Sequence, residues 1–258
     1  ITNAAVNTGT MMVKALTVDP IMQCFSEYET KMNLIQTIML NTASKGTSMN
    51  EVTKVIDDLN VYADKTIYNF AEMTRNIGTF TAAGVALEPA AAAIKGIANL
   101  AAASGSNSMQ ASTAMYQLSQ ALATGTVKLM DWNSVVNAGM GGELFQNALK
   151  DTARRHGVAV DEIVAKNGSF RDSLQEGWLS ADILNETLNN FTVDGAKNYS
   201  RGMMEAGQWT QEQADAFVAQ AVSMEDAATK VKTFTQLWAT LKEAAQSGWG
   251  KSWEIMIG

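Results

Sequence analysis

The 258-residue chain contains one cysteine, one histidine and two prolines, and each scarcity excludes a class of protein or structure. Cys24 has no second cysteine with which to form an intramolecular disulfide, so the sequence carries no signature of an oxidising compartment. One histidine and one cysteine cannot supply a zinc site or a Cys–His catalytic dyad. With so little proline, the 19 glycines are left to end the helices. We therefore expect no metal and no cofactor, and we expect Cys24 to be a small buried hydrophobe.

Charged residues are also scarce, at 17% of the chain against a typical ~25%. The 26 acidic residues outnumber the 19 basic ones, which gives a net charge of −7 and a pI near 4.8. This sign is wrong for a surface that grips a phosphate backbone, so we expect no direct binding of nucleic acid. Much of the surface must consist of Asn, Gln, Ser, Thr and Ala, a composition that suits a chain covered by partners or by copies of itself.

No hydrophobic run is long enough to cross a bilayer, which takes about 18 or more apolar residues. The nearest candidate, residues 82–103, is interrupted by Glu88, Pro89, Lys95 and Asn99 and consists largely of weakly apolar alanine. The first residues lack a charged leader followed by an apolar stretch, so we predict no signal peptide. The last residues have the pattern of a helix cut in mid-course, which indicates a fragment of a longer protein.

Apolar residues recur at helical spacing along most of the chain, whereas the period-two alternation of strands is missing. Only residues 157–160 and 191–193 have a pattern that could form a short, isolated extended segment. The predicted fold is therefore all-α, a multi-helix globular domain in which short, glycine-terminated helices are flanked by longer ones. We divide the chain into an N-terminal helical flank (1–61), a helical core (62–207) and a long C-terminal helix (208–258).

The first long helix is predicted to begin at Pro20 and to end at Gly46. Its apolar residues follow one another at alternating steps of four and three, the spacing of a helix that packs against another helix. They are Ile21, Phe25, Tyr28, Met32, Ile35 and Met39. We expect a bundle helix, with a coiled coil as the alternative.

Polar residues at helix starts predict where the later helices begin, most clearly where Glu or Gln follows three positions later. The predicted caps are Ser48 with Glu51, Asn107 with Gln110, Ser169, Ser180, and Thr210 with Gln213. The helix from Thr210 is expected to be the longest, to run to about Ser223 and to restart near Met224. Its continuation carries a second seam, comprising Ala227, Val231, Phe234, Trp238, Leu241 and Ala245.

Between these points the sequence predicts a helix over residues 69–83, with Gly78 and Gly84 limiting its length. An alanine-rich helix follows over residues 90–103, preceded by Glu88 and Pro89 in its first turn. Because small residues on most of its sides let neighbouring backbones approach closely, we predict that this helix is central in the fold. Shorter helices are predicted over residues 131–138, 142–156, 160–166, 170–176 and 181–191.

Few groups of residues resemble a chemical site. We expect His156, which follows Arg154 and Arg155, to lie at a helix C-terminus, where a cation interacts well with the helix dipole. The acidic pairs Asp57–Asp58, Asp161–Glu162 and Glu225–Asp226 are interpreted as solvated helix faces, with acid–base catalysis or cation binding as the alternative. We predict no catalytic, cofactor-binding or metal-binding residue.

Two further features have structural interpretations. The glycine-rich residues 139–142 have neither a preceding strand nor a following Lys-Ser/Thr, so we predict a flexible turn instead of a phosphate-binding loop. The 15 methionines are interpreted chiefly as core fillers, with adaptable binding surfaces as the alternative.

Four stretches in the middle of the chain, in their order and spacing, resemble the tape-measure domain of bacteriophage tail tape measure proteins. They are residues 66–70, 73–84, 117–125 and 131–133, and the flanking residues 28–31, 182–184, 234–238 and 253–254 are similar as well. The resemblance implies a structural protein of a tailed phage, a prophage or a tail-derived particle. Such a protein occupies the tail tube, sets tail length during assembly and has no enzymatic activity in this part.

The resemblance also implies partners and a location. The partners would be the tail tube protein, tail assembly chaperones and tail-tip or baseplate proteins, with homo-oligomers possible, and the location would be the virion tail after synthesis in the bacterial cytoplasm. Two alternatives remain open. The alanine-rich helix, Trp249 and Trp253 fit an envelope-interacting or channel-forming helical module, and some relatives of this kind carry wall-degrading domains, although no such motif occurs here.

Overall fold

The computed structural model describes residues 32–230, of which residues 37–230 pack as one compact unit. Every regular element between residues 32 and 230 is helical, so the all-α prediction is confirmed. The one extended pairing in that range is an isolated bridge between Thr126 and Ser180. Residues 157–160 and 191–193, the two places left open for extended structure, belong instead to helix ends and caps.

Twelve α-helices follow one another in this part of the chain. They are α1 (32–42), α2 (Met49–Lys65), α3 (Phe70–Ala82), α4 (Leu87–Ala103), α5 (Ser108–Thr124), α6 (Leu129–Asn137), α7 (Glu143–Arg155), α8 (Val160–Asn167), α9 (Phe170–Ser173), α10 (Ala181–Asn189), α11 (Val193–Glu205) and α12 (Gln211–Lys230). Short 3₁₀ turns follow α1 at Ala43–Lys45 and α9 at Leu174–Glu176. Ile21, Phe25, Tyr28 and the seam residues from Val231 onward lie outside the described residues.

The predicted helix starts are confirmed by their hydrogen bonds. Ser48 Oγ accepts from the backbone N of Glu51 at 3.3 Å, and the Glu51 carboxylate accepts from the backbone N of Ser48 at 2.6 Å. The predicted caps at Asn107, Ser169, Ser180 and Thr210 make the corresponding bonds. These local bonds satisfy amides that the first helical turn leaves unpaired, so short polar signals fix the boundaries of long helices.

Two predictions about helix ends are wrong, and one helix was not predicted. Gly78 does not limit its helix, because α3 continues through it to Ala82 and ends before Gly84, whose φ is +90°. The predicted break near Met224 does not occur, since α12 runs unbroken to residue 230. Helix α11 was not predicted: its sequence is mostly polar and contains Gly195 and Gly202, although Thr192 caps it through a bond from the amide of Gly195.

Helix α4 is the centre of the fold, as predicted from its alanines. It contacts α2, α3, α5, α10 and α12. It begins one residue after Ala86, and Glu88 and Pro89 lie in its first turn as predicted. Its buried residues fall on nearly all sides: Leu87, Ala90, Ala91, Ala93, Ile94, Gly96, Ile97, Ala98, Asn99, Leu100 and Ala101. A helix that is apolar all round is stable only when others cover it, which α4 achieves through these five neighbours.

Two glycines mark the closest backbone contacts. A Cβ placed on Gly96 of α4 would lie 1.9 Å from the carbonyl O of Leu188 in α10. A Cβ on Gly195, in the first turn of α11, would lie 2.0 Å from the carbonyl O of Asn189. No side chain fits at either position, so α4 and α11 can approach the C-terminal turn of α10 only through glycine.

A buried polar relay crosses α4 inside the apolar core. Asn99 of α4 is fully buried, accepts from the Tyr62 hydroxyl at 2.6 Å and donates from Nδ2 to the carbonyl O of Phe191 at 2.9 Å. Burial raises the pKa of Tyr62 well above its usual value, so the hydroxyl keeps the proton that it donates. The relay therefore links α2, α4 and the α10–α11 turn without leaving Asn99 unpaired.

A cluster of aromatic rings holds the shorter helices together. Trp132 of α6, which is 2% exposed, lies 4.7 Å from the Phe170 ring and 5.7 Å from the Phe145 ring, measured between centroids. Phe170 meets Trp178 edge-on at 5.5 Å, and Phe145 lies 5.8 Å from Phe191. Tilted and edge-on pairs at these distances favour packing beyond the area they bury, so this cluster forms the core of residues 129–191.

Gly96→Ala tests the close approach of α4 to α10. Because the new methyl group would collide with a backbone carbonyl, we expect a loss of roughly 3 kcal/mol in the free energy of unfolding. The matched control is Gly202→Ala in α11, where nothing lies within 4 Å of the added Cβ and helix propensity favours alanine by up to about 1 kcal/mol. Urea denaturation followed by circular dichroism measures both changes. Equal midpoints for the two variants would contradict the contact.

Tyr62→Phe and Tyr68→Phe form a second matched pair. Removing the Tyr62 hydroxyl leaves the buried Asn99 Oδ1 without its donor, so we expect a loss of about 1–3 kcal/mol. The Tyr68 hydroxyl is buried with no hydrogen-bond partner among the described residues, and its removal is expected to be neutral or stabilising. Urea denaturation again measures the free energy of unfolding of both variants. If Tyr68→Phe were destabilised as much as Tyr62→Phe, the result would contradict the role of the relay.

Candidate functional site

The cationic triplet selected from the sequence lies at the C-terminal end of α7. His156 is the C-cap residue, and its backbone N donates to the carbonyl O of Thr152 at 3.0 Å. Arg154 and Arg155 occupy the last turn of the helix. The predicted helix-end position of His156 is therefore confirmed, and the guanidinium groups of Arg154 and Arg155 lie where the helix dipole favours positive charge.

Arg154 is bound by two carboxylates. Its Nε and Nη2 atoms donate to the two oxygens of Asp161, each at 2.7 Å, and Nη1 donates to Asp151. The Arg154 guanidinium holds the pKa of Asp161 below its usual value. Asp161 lies in the first turn of α8, so this bidentate pair joins the end of one helix to the start of the next.

Arg155 and His156 share one carboxylate, that of Glu186 in α10. Arg155 Nη2 lies 3.2 Å from Glu186 Oε1, and His156 Nε2 lies 2.7 Å from Oε2. The Arg155 guanidinium also lies over the ring of Tyr199 in α11, 4.3 Å from its centroid. Arg155 thus contacts two helices: it forms an ion pair with α10 and a cation–π contact with α11.

Below these charges lies a buried hydroxyl pair. Thr187 Oγ1 donates to Thr152 Oγ1 at 2.8 Å, and Arg155 Nη2 donates to the same Thr152 oxygen at 2.8 Å. Three nearby donor-capable atoms are buried with no hydrogen-bond partner in the described part of the chain, namely Arg155 Nε, Asn190 Nδ2 and the Tyr199 hydroxyl. Burial raises the pKa of Tyr199, although the Arg155 charge opposes that rise.

A cavity of about 490 Å³ adjoins this cluster between α7, α10, α11 and α12. Its apolar wall includes Trp209 and Phe217, which stack with each other at 5.1 Å and with Tyr199 at 5.4 and 5.6 Å. Its polar wall includes Arg155 and Asn190. The charged atoms of the cluster are bonded mainly to one another, so the arrangement joins α7, α8, α10 and α11 and has the chemistry of a structural connection.

The acidic pairs lie apart from this cluster and from one another. Asp57–Asp58 lies in the middle of α2 on an exposed face, Asp161–Glu162 lies in the first turn of α8, and Glu225–Asp226 lies within α12. Only Asp161 takes part in the cluster. Within residues 32–230, no three His, Cys, Asp or Glu side chains are grouped closely enough to hold a metal ion.

The glycine-rich residues 139–142 form the turn between α6 and α7. Gly139 has a φ of +80°, and a Cβ on Gly141 would lie 2.5 Å from Cγ2 of Val136. The predicted turn is therefore confirmed, and at Gly141 it is tightly packed instead of open. The methionines divide between the two interpretations: Met73, Met115, Met140 and Met224 are buried, whereas Met49, Met109 and Met130 are exposed.

The residues that carry the family resemblance have structural roles. Thr66 Oγ1 accepts from the amide of Tyr68, Asn69 caps α3, and Ile77 and Phe80 are fully buried. In the last stretch, the Asp131 carboxylate accepts from the backbone N of Lys128, Trp132 is the hub of the aromatic cluster, and Asn133 accepts from Arg171. These residues are caps and core contacts, so they specify a fold.

In the part of the chain that the structure describes, no helix is both long enough and apolar enough to span a membrane. The alanine-rich α4 lies in the core, with its apolar surface against other helices.

The packing and the roles of these residues define a helical structural protein. A family model for tape measure proteins matches residues 25–202, more than half of the chain. The chain therefore belongs to the tape measure protein family, and the resemblance noted in the sequence is confirmed. Membership gives it a general role in phage tails. No curated protein and no solved structure matches the chain.

Glu186 and Tyr199 were missed by sequence reasoning. Glu186 is an isolated acid on a short helix, and Tyr199 lies on the unpredicted α11. Nothing local indicates that they meet Arg155, which lies 31 positions before Glu186. The sequence indicates only that Arg154 and Arg155 need carboxylate partners, and it does not favour Glu186 over the other acidic residues.

Glu186→Gln tests the cluster as a structural connection. The variant keeps the shape of the side chain but removes the charge shared by Arg155 and His156, so we expect a loss of about 1–2 kcal/mol in the free energy of unfolding. The control is Glu176→Gln, whose carboxylate pairs with Lys166 at the exposed surface and whose loss should leave the midpoint unchanged. Urea midpoints at low and high salt measure both. Equal effects would show that the position of Glu186 between the helices is unimportant.

Proposed function

We propose that this chain is the folded helical module of a tail tape measure protein, which occupies the tail tube and sets tail length during assembly. The observation that carries the proposal is the family match over residues 25–202, together with the structural roles of the motif residues. The partners proposed are the tail tube protein, tail assembly chaperones and tail-tip or baseplate proteins. The location proposed is the virion tail, after synthesis in the bacterial cytoplasm.

The module acts in this proposal by packing and not by catalysis. The cationic cluster is bonded to Asp151, Asp161 and Glu186, and it holds helices together. The net charge of −7 does not favour binding to the phosphate backbone of nucleic acid. The predicted segments 1–61, 62–207 and 208–258 stay a proposal, in which 62–207 is the tape-measure core.

An envelope-interacting or channel-forming module is the alternative. It draws on the alanine-rich helix, Trp249 and Trp253, but α4 is covered by five other helices and the two tryptophans lie outside the described residues. To reach lipid, α4 would have to leave the core. Incubation of the purified chain with dye-loaded vesicles separates the two functions, because leakage at modest protein excess supports the alternative and intact vesicles support the tail role.

The tail role predicts a change in tail length. In a phage or prophage that encodes this chain, in-frame removal of the codons for residues 62–207 is expected to give no tails, or tails shortened by much less than those residues would span as one rod. Electron microscopy of purified particles measures the length distribution. A particle carrying Gly202→Ala serves as the control and should keep normal tails, since that exposed site tolerates a methyl group. Tails of normal length in the deletion strain would contradict the proposal that this chain sets tail length.

A further inference from the structure

The cavity beside the cationic cluster lies between two helices that pack against different neighbours. Helix α7 packs mainly against α8 and α10, whereas α12 packs mainly against α11 and α4. The space left between α7 and α12 measures about 490 Å³, within the range of small-ligand sites, which is about 300–1,000 Å³. Its exposed lining residues include Asn147 and Asp151 on α7 and Gln220 on α12, so solvent reaches the cavity between these helices.

Two buried donors in the lining have no acceptor. Asn190 is 9% exposed, and its Nδ2 atom has no hydrogen-bond partner among residues 32–230. The Nε atom of Arg155 is buried and unpaired in the same range. The unpaired amide oxygens of Asn185 and Asn189 lie outside the lining. Because unpaired buried donors are destabilising, an occupant that supplies an acceptor is favoured here.

Most of the remaining lining is apolar. It comprises Leu144, Ala148, Phe191, Met203, Trp209, Phe217, Ala221 and Met224. The rings of Trp209 and Phe217 stack with their centroids 5.1 Å apart, and the flexible side chains of Met203 and Met224 adapt to ligands of different shape. Water would satisfy the two donors but gains nothing from the apolar wall. The lining therefore fits a molecule with an apolar body and a hydrogen-bond acceptor.

The charges around the cavity decide which acceptor fits. Arg154 is already bonded to Asp151 and Asp161. Arg155 is already bonded to Glu186. A ligand carboxylate would bring a fourth negative charge to these two guanidinium groups, and a partly buried carboxylate without compensation is costly. A neutral carbonyl oxygen accepts the same hydrogen bonds and adds no charge.

We propose that this cavity binds a neutral carbonyl compound with an aromatic or branched aliphatic body. The carbonyl oxygen has two lone pairs, one for Asn190 Nδ2 and one for Arg155 Nε. The apolar body lies against Trp209 and Phe217. A ligand in this position connects α7 to α12, so binding stabilises the folded chain. The site rests on the lining of the cavity and does not depend on the tail role.

Proton–nitrogen NMR of the 258-residue chain with benzylacetone, a neutral ketone that carries a phenyl ring, tests the proposal. We expect the indole N–H signal of Trp209 to shift with a dissociation constant on the order of 1 mM, the strength typical of a very small ligand. The loss of this signal in Trp209→Phe assigns it. The signal of Trp132, which lies in the aromatic cluster and outside the cavity lining, should stay in place.

Two probes of similar shape test the choice of a neutral acceptor. Hydrocinnamate replaces the methyl ketone with a carboxylate, and the amine made from benzylacetone replaces the acceptor with a cationic donor. We expect each to bind at least about tenfold more weakly than the ketone, because one adds negative charge and the other offers no acceptor. Binding of either probe as tight as that of benzylacetone would overturn the proposal.

Asn190→Leu tests the donor. The variant has a side chain of similar size and removes an unpaired buried amide, so the chain should stay folded, as circular dichroism checks. We expect the ketone to bind at least about tenfold more weakly, because one hydrogen bond is lost. The matched control is Asn189→Leu, which removes an unpaired amide from the neighbouring position outside the cavity lining and should leave binding unchanged.

Two results would reject the site. If none of the probes shifts the Trp209 signal at about tenfold above the expected dissociation constant, the cavity holds only water. If Asn189→Leu weakens ketone binding as much as Asn190→Leu does, the Asn190 amide is not the donor, and the proposal is overturned.

Discussion

The fold depends on the close approach of two helix backbones, α4 and α10, at Gly96. Only an absent side chain lets the Leu188 carbonyl lie where a Cβ would otherwise be. This contact brings α10 down onto the alanine-rich centre, and α10 in turn carries Glu186 and Thr187 to the end of α7. If α10 moved outward by the width of a methyl group, Glu186 would separate from Arg155 and Thr187 from Thr152. The cationic cluster therefore depends on the packing of α10 against Gly96 of α4.

The chain uses few charges, and the arginines at the end of α7 use theirs to join helices. Arg154 joins α7 to α8, Arg155 joins α7 to α10 and α11, and the interior between them is held by neutral bonds such as the Tyr62–Asn99 relay. Neutral buried bonds stabilise an interior without the large desolvation cost of buried charge. The low charge content noted in the sequence is therefore compatible with many specific polar contacts.

The sequence predicts local structure well and distant contacts poorly. Caps such as Ser48–Glu51 and Asn107–Gln110 act within one turn, so their side chains alone determine where helices start. The centrality of α4 follows from its composition, because only a covered helix tolerates so much apolar surface. By contrast, the partners of Arg155 depend on how α10 and α11 pack, which no local pattern encodes. The break predicted near Met224 was wrong for the same reason, since Met224 is buried by packing within an unbroken α12.

Because glycines end these helices, the number of residues in this part of the chain is a poor measure of the distance that it spans. Residues 37–230 as one unbroken helix would reach about 290 Å, whereas a globule of that many residues has a radius of gyration of about 16 Å. In the proposed role of setting tail length, codons for this module would add far less distance than codons for a rod. Codons inserted here would increase the number of residues much more than the distance that the protein spans.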